Sequence, residues 1–204
     1  MATKNDAYPI TFAVEHPTSS SRLLAFLGFV FWIKLFLLLP HIIILWFLSI
    51  ISLFVLIIGY IAVLFTGKYP RSLFELQAGI ARWNFRTSCW SIGLTDKYPP
   101  FSLKEGGHPT DISFEYLESS SRFLALLGLL FFIKSIVLIP HILVLYFLGM
   151  LHAILIWFGF IIVLVTGRYP LGLFEFVLGI VIWDVRVNCW FVGLTDKYPP
   201  FSLR

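Results

Sequence analysis

LLAFLGFVFWIKLFLLLPHIIILWFLSIISLFVLIIGYIAVLF, residues 23–65, is a nearly unbroken apolar run of 43 residues, interrupted chiefly by Lys34 and by the pair Pro40-His41. A run of equal length occupies residues 123–165, with Lys134 and Pro140-His141 at the matching places. One helix crosses a hydrocarbon core of about 30 Å with about 20 residues. Forty-three residues are too many for one crossing and fit a tight hairpin of two helices. Proline is favoured in the first turn of a helix. The turn is therefore expected at Pro40-His41, with helices over 22–38 and 41–66. The alternative keeps Pro40 as a kink and moves the turn toward Ser49–Ser52, which a bilayer tolerates. Gly67 is expected to cap the second helix, with Lys68 facing its negative end and Tyr69 at the membrane interface.

Working outward, the run belongs to an internal repeat. Residues 19–103 align with 119–203 at a constant offset of 100 without a gap, and 46 of 85 positions are identical. The string GLTDKYPPFSL closes both copies, at 93–103 and 193–203, and the polar linker KEGGHP at 104–109 separates them. The expected units are residues 1–104 (lead 8–18, hairpin 22–66, amphipathic helix 71–92) and 109–204 (lead 110–118, hairpin 122–166, amphipathic helix 171–192). Short alternations in the leads, Ile10, Phe12 and Val14 in one and Ile112, Phe114 and Tyr116 in the other, suggest strands. Residues 100–103 are expected to pair with residues 112–115 as a small cytoplasmic cap. The fold class that follows is an all-α membrane protein: tandem duplicated two-helix transmembrane hairpins, each followed by an amphipathic interfacial helix, with short β-like leads.

Composition agrees. Of 204 residues 59% are hydrophobic, 18% aromatic and 13% charged, and the mean hydropathy is +0.90. Soluble domains carry about 25% charged residues, so this balance excludes a disordered chain and an ordinary water-soluble globule. The net charge of +4 comes from basic residues scattered singly at the ends of apolar runs. That placement suits anionic headgroups and the positive-inside bias rather than nucleic acid. Two cysteines, Cys89 and Cys189, are too few for a disulfide framework and lack the spacing of a metal or redox motif. The polar first 22 residues do not have the pattern of a signal peptide, so the first apolar segment is expected to be retained.

The segment after each hairpin is less apolar. Glu75, Gly79, Arg82 and Arg86 share one helical face, and the second copy repeats the stripe as Glu175, Gly179, Ile182 and Arg186. Ionised groups cost about 2.5–3.5 kcal/mol each at the centre of a bilayer, so these segments are expected to lie at the interface. With two crossings per repeat, most basic residues and both termini fall on the cytoplasmic side. If the third segment also crossed, the copies would be inverted, as in many transporters.

The pattern of apolar run, P-H, apolar run, TG[KR]YP, LFE, amphipathic segment and LTDKYPPFSL resembles a bacterial membrane-protein family known as a domain of unknown function, whose members often hold this unit in tandem. The motifs stand here as Gly67 to Glu75 (GKYPRSLFE), Gly167 to Glu175 (GRYPLGLFE), Thr95–Leu103 and Thr195–Leu203. Ser72 and Leu171 depart from the usual Gly and Arg. The resemblance covers nearly the whole chain and implies a bacterial inner-membrane location. It implies no activity, cofactor or catalytic residue.

Lys34 and Lys134 could counter a carboxylate, bind an anionic lipid or line a pore; the plainer expectation is that they snorkel to the headgroups. His41 and His141 could form a titrating or metal-binding pair, or simply cap the expected turns. Glu75 with Arg82 or Arg86, and Glu175 with Arg186, could be functional ion pairs or the wet face of an interfacial helix. The Asp96-Lys97-Tyr98-Pro-Pro string reads as a structural turn. No nucleophile triad, carboxylate pair, phosphate loop or zinc spacing is present in the sequence. The expected function is therefore non-enzymatic: a scaffold or accessory subunit acting through membrane lipids and other membrane-protein subunits or a homo-oligomer, without cofactor, metal or nucleic acid. Gly28 and Gly128 are expected to let neighbouring helices approach closely. The alternative is a small channel or transporter with an anion path near the pseudo-two-fold axis, lined by the two lysines and two histidines. A third possibility is a lipid-organising protein.

Overall fold

The computed structural model describes residues 8–203. The elements run β1 (Ile10–Val14), α1 (Arg22–Phe29), α2 (Phe31–Thr66), α3 (Arg71–Ser91), β2 (Thr110–Phe114), α4 (Arg122–Leu129), α5 (Phe131–Thr166) and α6 (Leu171–Phe191). The chain is mostly helical and duplicated, and α2 and α5 are each long and apolar enough to cross a membrane.

The hairpin expected within 22–66, and its copy within 122–166, is not formed. α2 runs without interruption through Pro40, and α5 through Pro140. The break lies earlier, at Val30, where the short helix α1 ends with ψ 74°. A turn at Pro40 would leave up to four carbonyls without partners in apolar surroundings, whereas a proline inside the helix removes one hydrogen bond. The carbonyls that lose their usual donor are those of Phe36 and Ile136; one residue on, the Tyr98 hydroxyl adds a bond from outside to the Leu37 carbonyl at 2.8 Å, and Tyr198 does the same to Val137 at 2.9 Å.

The chain reverses at the TGKYP motif instead. Gly67 takes a left-handed conformation at φ 74° and its N–H closes on the Val63 carbonyl at 2.8 Å. Tyr69 folds back into the space left by Gly59, where any Cβ would stand 2.3 Å from its ring. α3 then returns antiparallel along α2. Gln77 meets Ser52, Trp83 meets His41, and Trp90 lies beneath Lys34. Each repeat thus has a helical hairpin, made of α2 with α3 and α5 with α6.

The strands also differ from expectation. β1 pairs with β2 in an antiparallel two-stranded sheet with register Ile10↔Phe114 and Phe12↔Ile112. The closing string 100–103 forms no strand. Because the two leads pair with each other, the sheet joins the repeats across their pseudo-two-fold axis.

The repeats are further interlocked by exchange. α1 packs against α5 and α4 against α2. Gly28 admits the Phe160 ring and Gly128 admits the Tyr60 ring, each closer than a Cβ would allow. The Ser20 N–H donates to the Gly167 carbonyl and the Ser120 N–H to Gly67, both at 2.9 Å. The small faces of Gly28 and Gly128 are thus occupied within the chain, not left for a neighbouring subunit. One core, holding Tyr60, Phe85, Cys89, Phe160, Val177 and Cys189, spans both repeats.

Candidate functional site

α3 carries the Glu75–Arg82–Arg86 stripe, and the structure divides it. Glu75, in the uncovered first turn, pairs with exposed Arg71 at 3.2 Å. Arg82 and Arg86 are buried beneath the linker and β2, so they are not the wet face of an interfacial helix. Arg86 Nη2 donates to Asp111 Oδ1 at 2.8 Å and to the Lys104 carbonyl at 2.9 Å. Arg82 donates to the carbonyls of Ile112 at 2.9 Å and Leu103 at 2.7 Å, and lies 3.4 Å from Asp111. Asp111 also accepts the Gly106 N–H at 2.6 Å. Arg82 Nη2 also pairs with Glu105 of the linker at 3.3 Å, so two guanidinium groups and two carboxylates hold the linker onto α3. Neither arginine reaches Glu75.

The second copy lacks this network because position 182 is Ile and position 11, the counterpart of Asp111, is Thr. Arg186 is buried and lies against the rings of Tyr8 and Phe12, at 5.3 and 5.6 Å. Glu175 is exposed at the start of α6. Eleven residues of α6, about 16 Å at 1.5 Å per residue, separate it from Arg186, which turns toward the N-terminal lead.

Lys34 and Lys134 do not snorkel to the surface. They are 3% and 1% exposed. Lys34 Nζ lies 4.6 Å from the Trp90 ring centroid and 5.1 Å from that of Phe160, within cation–π range. Lys134 Nζ lies 4.5 Å from Trp190 and donates to the Tyr60 hydroxyl at 2.5 Å and to the Phe191 carbonyl at 3.2 Å. Each lysine of one repeat therefore meets an aromatic residue of the other.

His41 and His141 cap no turn; both are fully buried on the long helices. The indole N–H of Trp83 donates to His41 Nδ1 at 2.9 Å, and Trp183 does the same to His141 at 2.9 Å. An indole N–H can only donate, so Nδ1 is the acceptor and the proton of the neutral ring sits on Nε2. Neither nitrogen then offers a lone pair to a metal. Phe101 stacks on His41 at 4.0 Å and Phe201 on His141 at 3.8 Å, while Tyr98 and Tyr198 close the edge. The closing string is thus a latch on the long helix. Its Asp96 also accepts the Ser21 N–H at 2.7 Å and so anchors the start of α1, as Asp196 does for Ser121 at 2.6 Å.

Cys89 and Cys189 are fully buried, and burial pushes both thiols far above their ordinary value. They are core residues. Among the described residues, no group of three or more His, Cys, Asp and Glu side chains is placed to hold a metal ion.

A family model for a domain of unknown function, DUF4389, matches residues 30–102 and 129–202. The chain belongs to the DUF4389 family. No curated protein and no solved structure matches it. The two DUF4389 segments begin at the bend before α2 and α5 and end in the closing strings, so each contains the α2–α3 or α5–α6 hairpin with its latch. The leads, α1 and most of α4's N-terminal turns lie outside the matched DUF4389 segments, although they interlock the two units.

Sequence reasoning missed Asp111, the Trp83 and Trp183 donors, and the opposition of Tyr60 to Lys134. Signals existed for two of them. Arg82 and Asp111 are both lost together in the other copy, and Tyr60 against Phe160 is a polar difference within an apolar stretch.

Proposed function

We propose that the protein is an integral membrane scaffold or accessory subunit of the bacterial cytoplasmic membrane, acting through lipid and protein contacts rather than chemistry of its own. The observation that carries this reading is the outward surface of α2 and α5. Phe36, Trp46 and Phe54 on α2 are 71%, 59% and 60% exposed, and Ile136, Tyr146 and Phe147 present the same face on α5. Continuous apolar surface on this scale marks a membrane or a protein partner. The lysine, histidine and arginine candidates, by contrast, are engaged inside the fold, and only Glu75 and Glu175 face outward. Lys34 and Lys134 are packed beneath tryptophans and the histidines are latched by aromatic rings, which supports a structural role for them over an anion path.

Pairing of the two leads in one sheet favours a common side for both, and the basic residues of the linker and closing strings favour the cytoplasm for that side and for both termini. Photo-crosslinking from positions 46, 54 and 147 in native membranes tests the reading. A discrete protein adduct together with lipid adducts is the expected result. Lipid adducts alone would replace the scaffold by a lipid-organising protein, and anion flux through liposomes holding the purified chain would replace it by a channel.

A further inference from the structure

Each buried lysine sits against a tryptophan of its own repeat and one ring of the other repeat, and those two rings, Phe160 and Tyr60, differ by one oxygen atom. Lys134 donates to the Tyr60 hydroxyl, which in turn donates to the Phe191 carbonyl. At the corresponding place Lys34 faces Phe160, whose ring has no hydroxyl. A small cavity lies beside it, lined by Ser20, Lys34, Asp96, Phe160 and Tyr169 among others. Its volume of about 10 Å³ is room for one water. Two of its lining groups, Ser20 Oγ and the Tyr169 hydroxyl, are buried with no hydrogen-bond partner among the described residues.

We infer that this cavity is a binding site for a single water molecule, which gives Lys34 an oxygen partner as the Tyr60 hydroxyl does for Lys134. An internal water needs two to four polar partners and a space of this size. Ammonium, hydroxyl and carboxylate groups line the space, so the occupant both accepts and donates. A small monovalent anion shares the ability to accept from the ammonium, but Asp96 already supplies negative charge in the same cavity and would oppose it. The site is asymmetric by construction: one repeat carries the oxygen on its own side chain and the other takes it from solvent. It does not depend on the proposed scaffold role.

Reciprocal substitution in the full chain tests this. Oxygen-17 magnetic relaxation dispersion on the protein in detergent micelles counts long-lived internal waters. Phe160→Tyr is expected to remove one such water, and Tyr60→Phe to add one at Lys134. An unchanged count in Phe160→Tyr overturns the inference. A chlorine-35 line broadening present in the wild type and abolished in Phe160→Tyr also overturns it, in favour of a halide. If either variant fails to fold, a high-resolution crystal structure of the wild type decides: density within hydrogen-bond distance of Lys34 Nζ, Ser20 Oγ or the Tyr169 hydroxyl supports the water, and an empty cavity overturns it.

Discussion

Arg86 and Asp111 meet at 2.8 Å beneath the linker that joins the two repeats, with Arg86 fully buried and Asp111 6% exposed. Removing one partner of a buried pair leaves an uncompensated charge and costs about 3–5 kcal/mol. Asp111→Thr is therefore expected to lower the unfolding midpoint strongly. The second repeat shows a compatible alternative, with Thr11 and Ile182 at the corresponding positions. Adding Arg82→Ile to Asp111→Thr should recover part of the loss, because one of the two buried guanidinium groups that face Asp111 is removed and Glu105, its other carboxylate partner, is half-exposed. Chemical unfolding of wild type, single and double variants in one detergent checks this. A double variant no more stable than the single one would refute the account.

Gly128 and Tyr60 make a similar cross-repeat argument through packing. A Cβ at position 128 would stand 2.2 Å from the Tyr60 ring, and one at position 28 would stand 2.5 Å from Phe160. Overpacking of this kind costs about 1–3 kcal/mol. Gly128→Ala and Gly28→Ala should each destabilise by that order, whereas Gly149→Ala, with open space around it, should not. Thermal unfolding of the three variants gives the comparison, and equal midpoints for all three would count against the interlocked arrangement.

These contacts show what was legible in the sequence and what was not. The constant offset and the 43-residue apolar runs announce the duplication and the two long helices. Gly67 is legible as a helix cap because a left-handed terminus has a local signature. The position of the hairpin is not legible, because Pro40 reads both as a helix start and as a helix kink, and the Tyr98 hydroxyl that supports the continuous helix reaches Leu37 from 61 residues further along the chain. The stripe of Glu75, Arg82 and Arg86 was legible as one face, but helical periodicity does not say that β2 and the linker cover part of it. The exchange of α1 and α4 between repeats depends on contacts far apart in the chain, Gly28 with Phe160 and Gly128 with Tyr60, 132 and 68 residues apart.

Cys89 and Cys189 provide a probe of that shared core. Both thiols are inaccessible and burial disfavours their thiolates, even with Thr110 hydrogen-bonded beside Cys89. Maleimides react with the thiolate. The native protein should stay unlabelled at neutral pH and take up two equivalents after denaturation in dodecyl sulfate, as read by intact mass. Stoichiometric labelling of the folded chain would contradict the core packing.

The final prediction concerns the covalent link between the repeats. The linker passes through Gly106 and Gly107, both at positive φ with open space around the Cβ positions. The connections that matter are non-covalent: the β1–β2 pairing, the two Ser-to-Gly hydrogen bonds at 2.9 Å, the Lys134–Tyr60 contact, and the ring of each long helix seated on a glycine of the other repeat. A protease site inserted between residues 106 and 107 of the full chain should therefore be cut without separating the halves, which should co-elute on size exclusion in mild detergent. Asp111 lies four residues beyond the cut and holds Gly106 by its backbone N–H, so the cut chain should unfold at a lower temperature than the intact one. Halves that separate on cleavage would show that the linker, and not the exchanged helices, holds the repeats together.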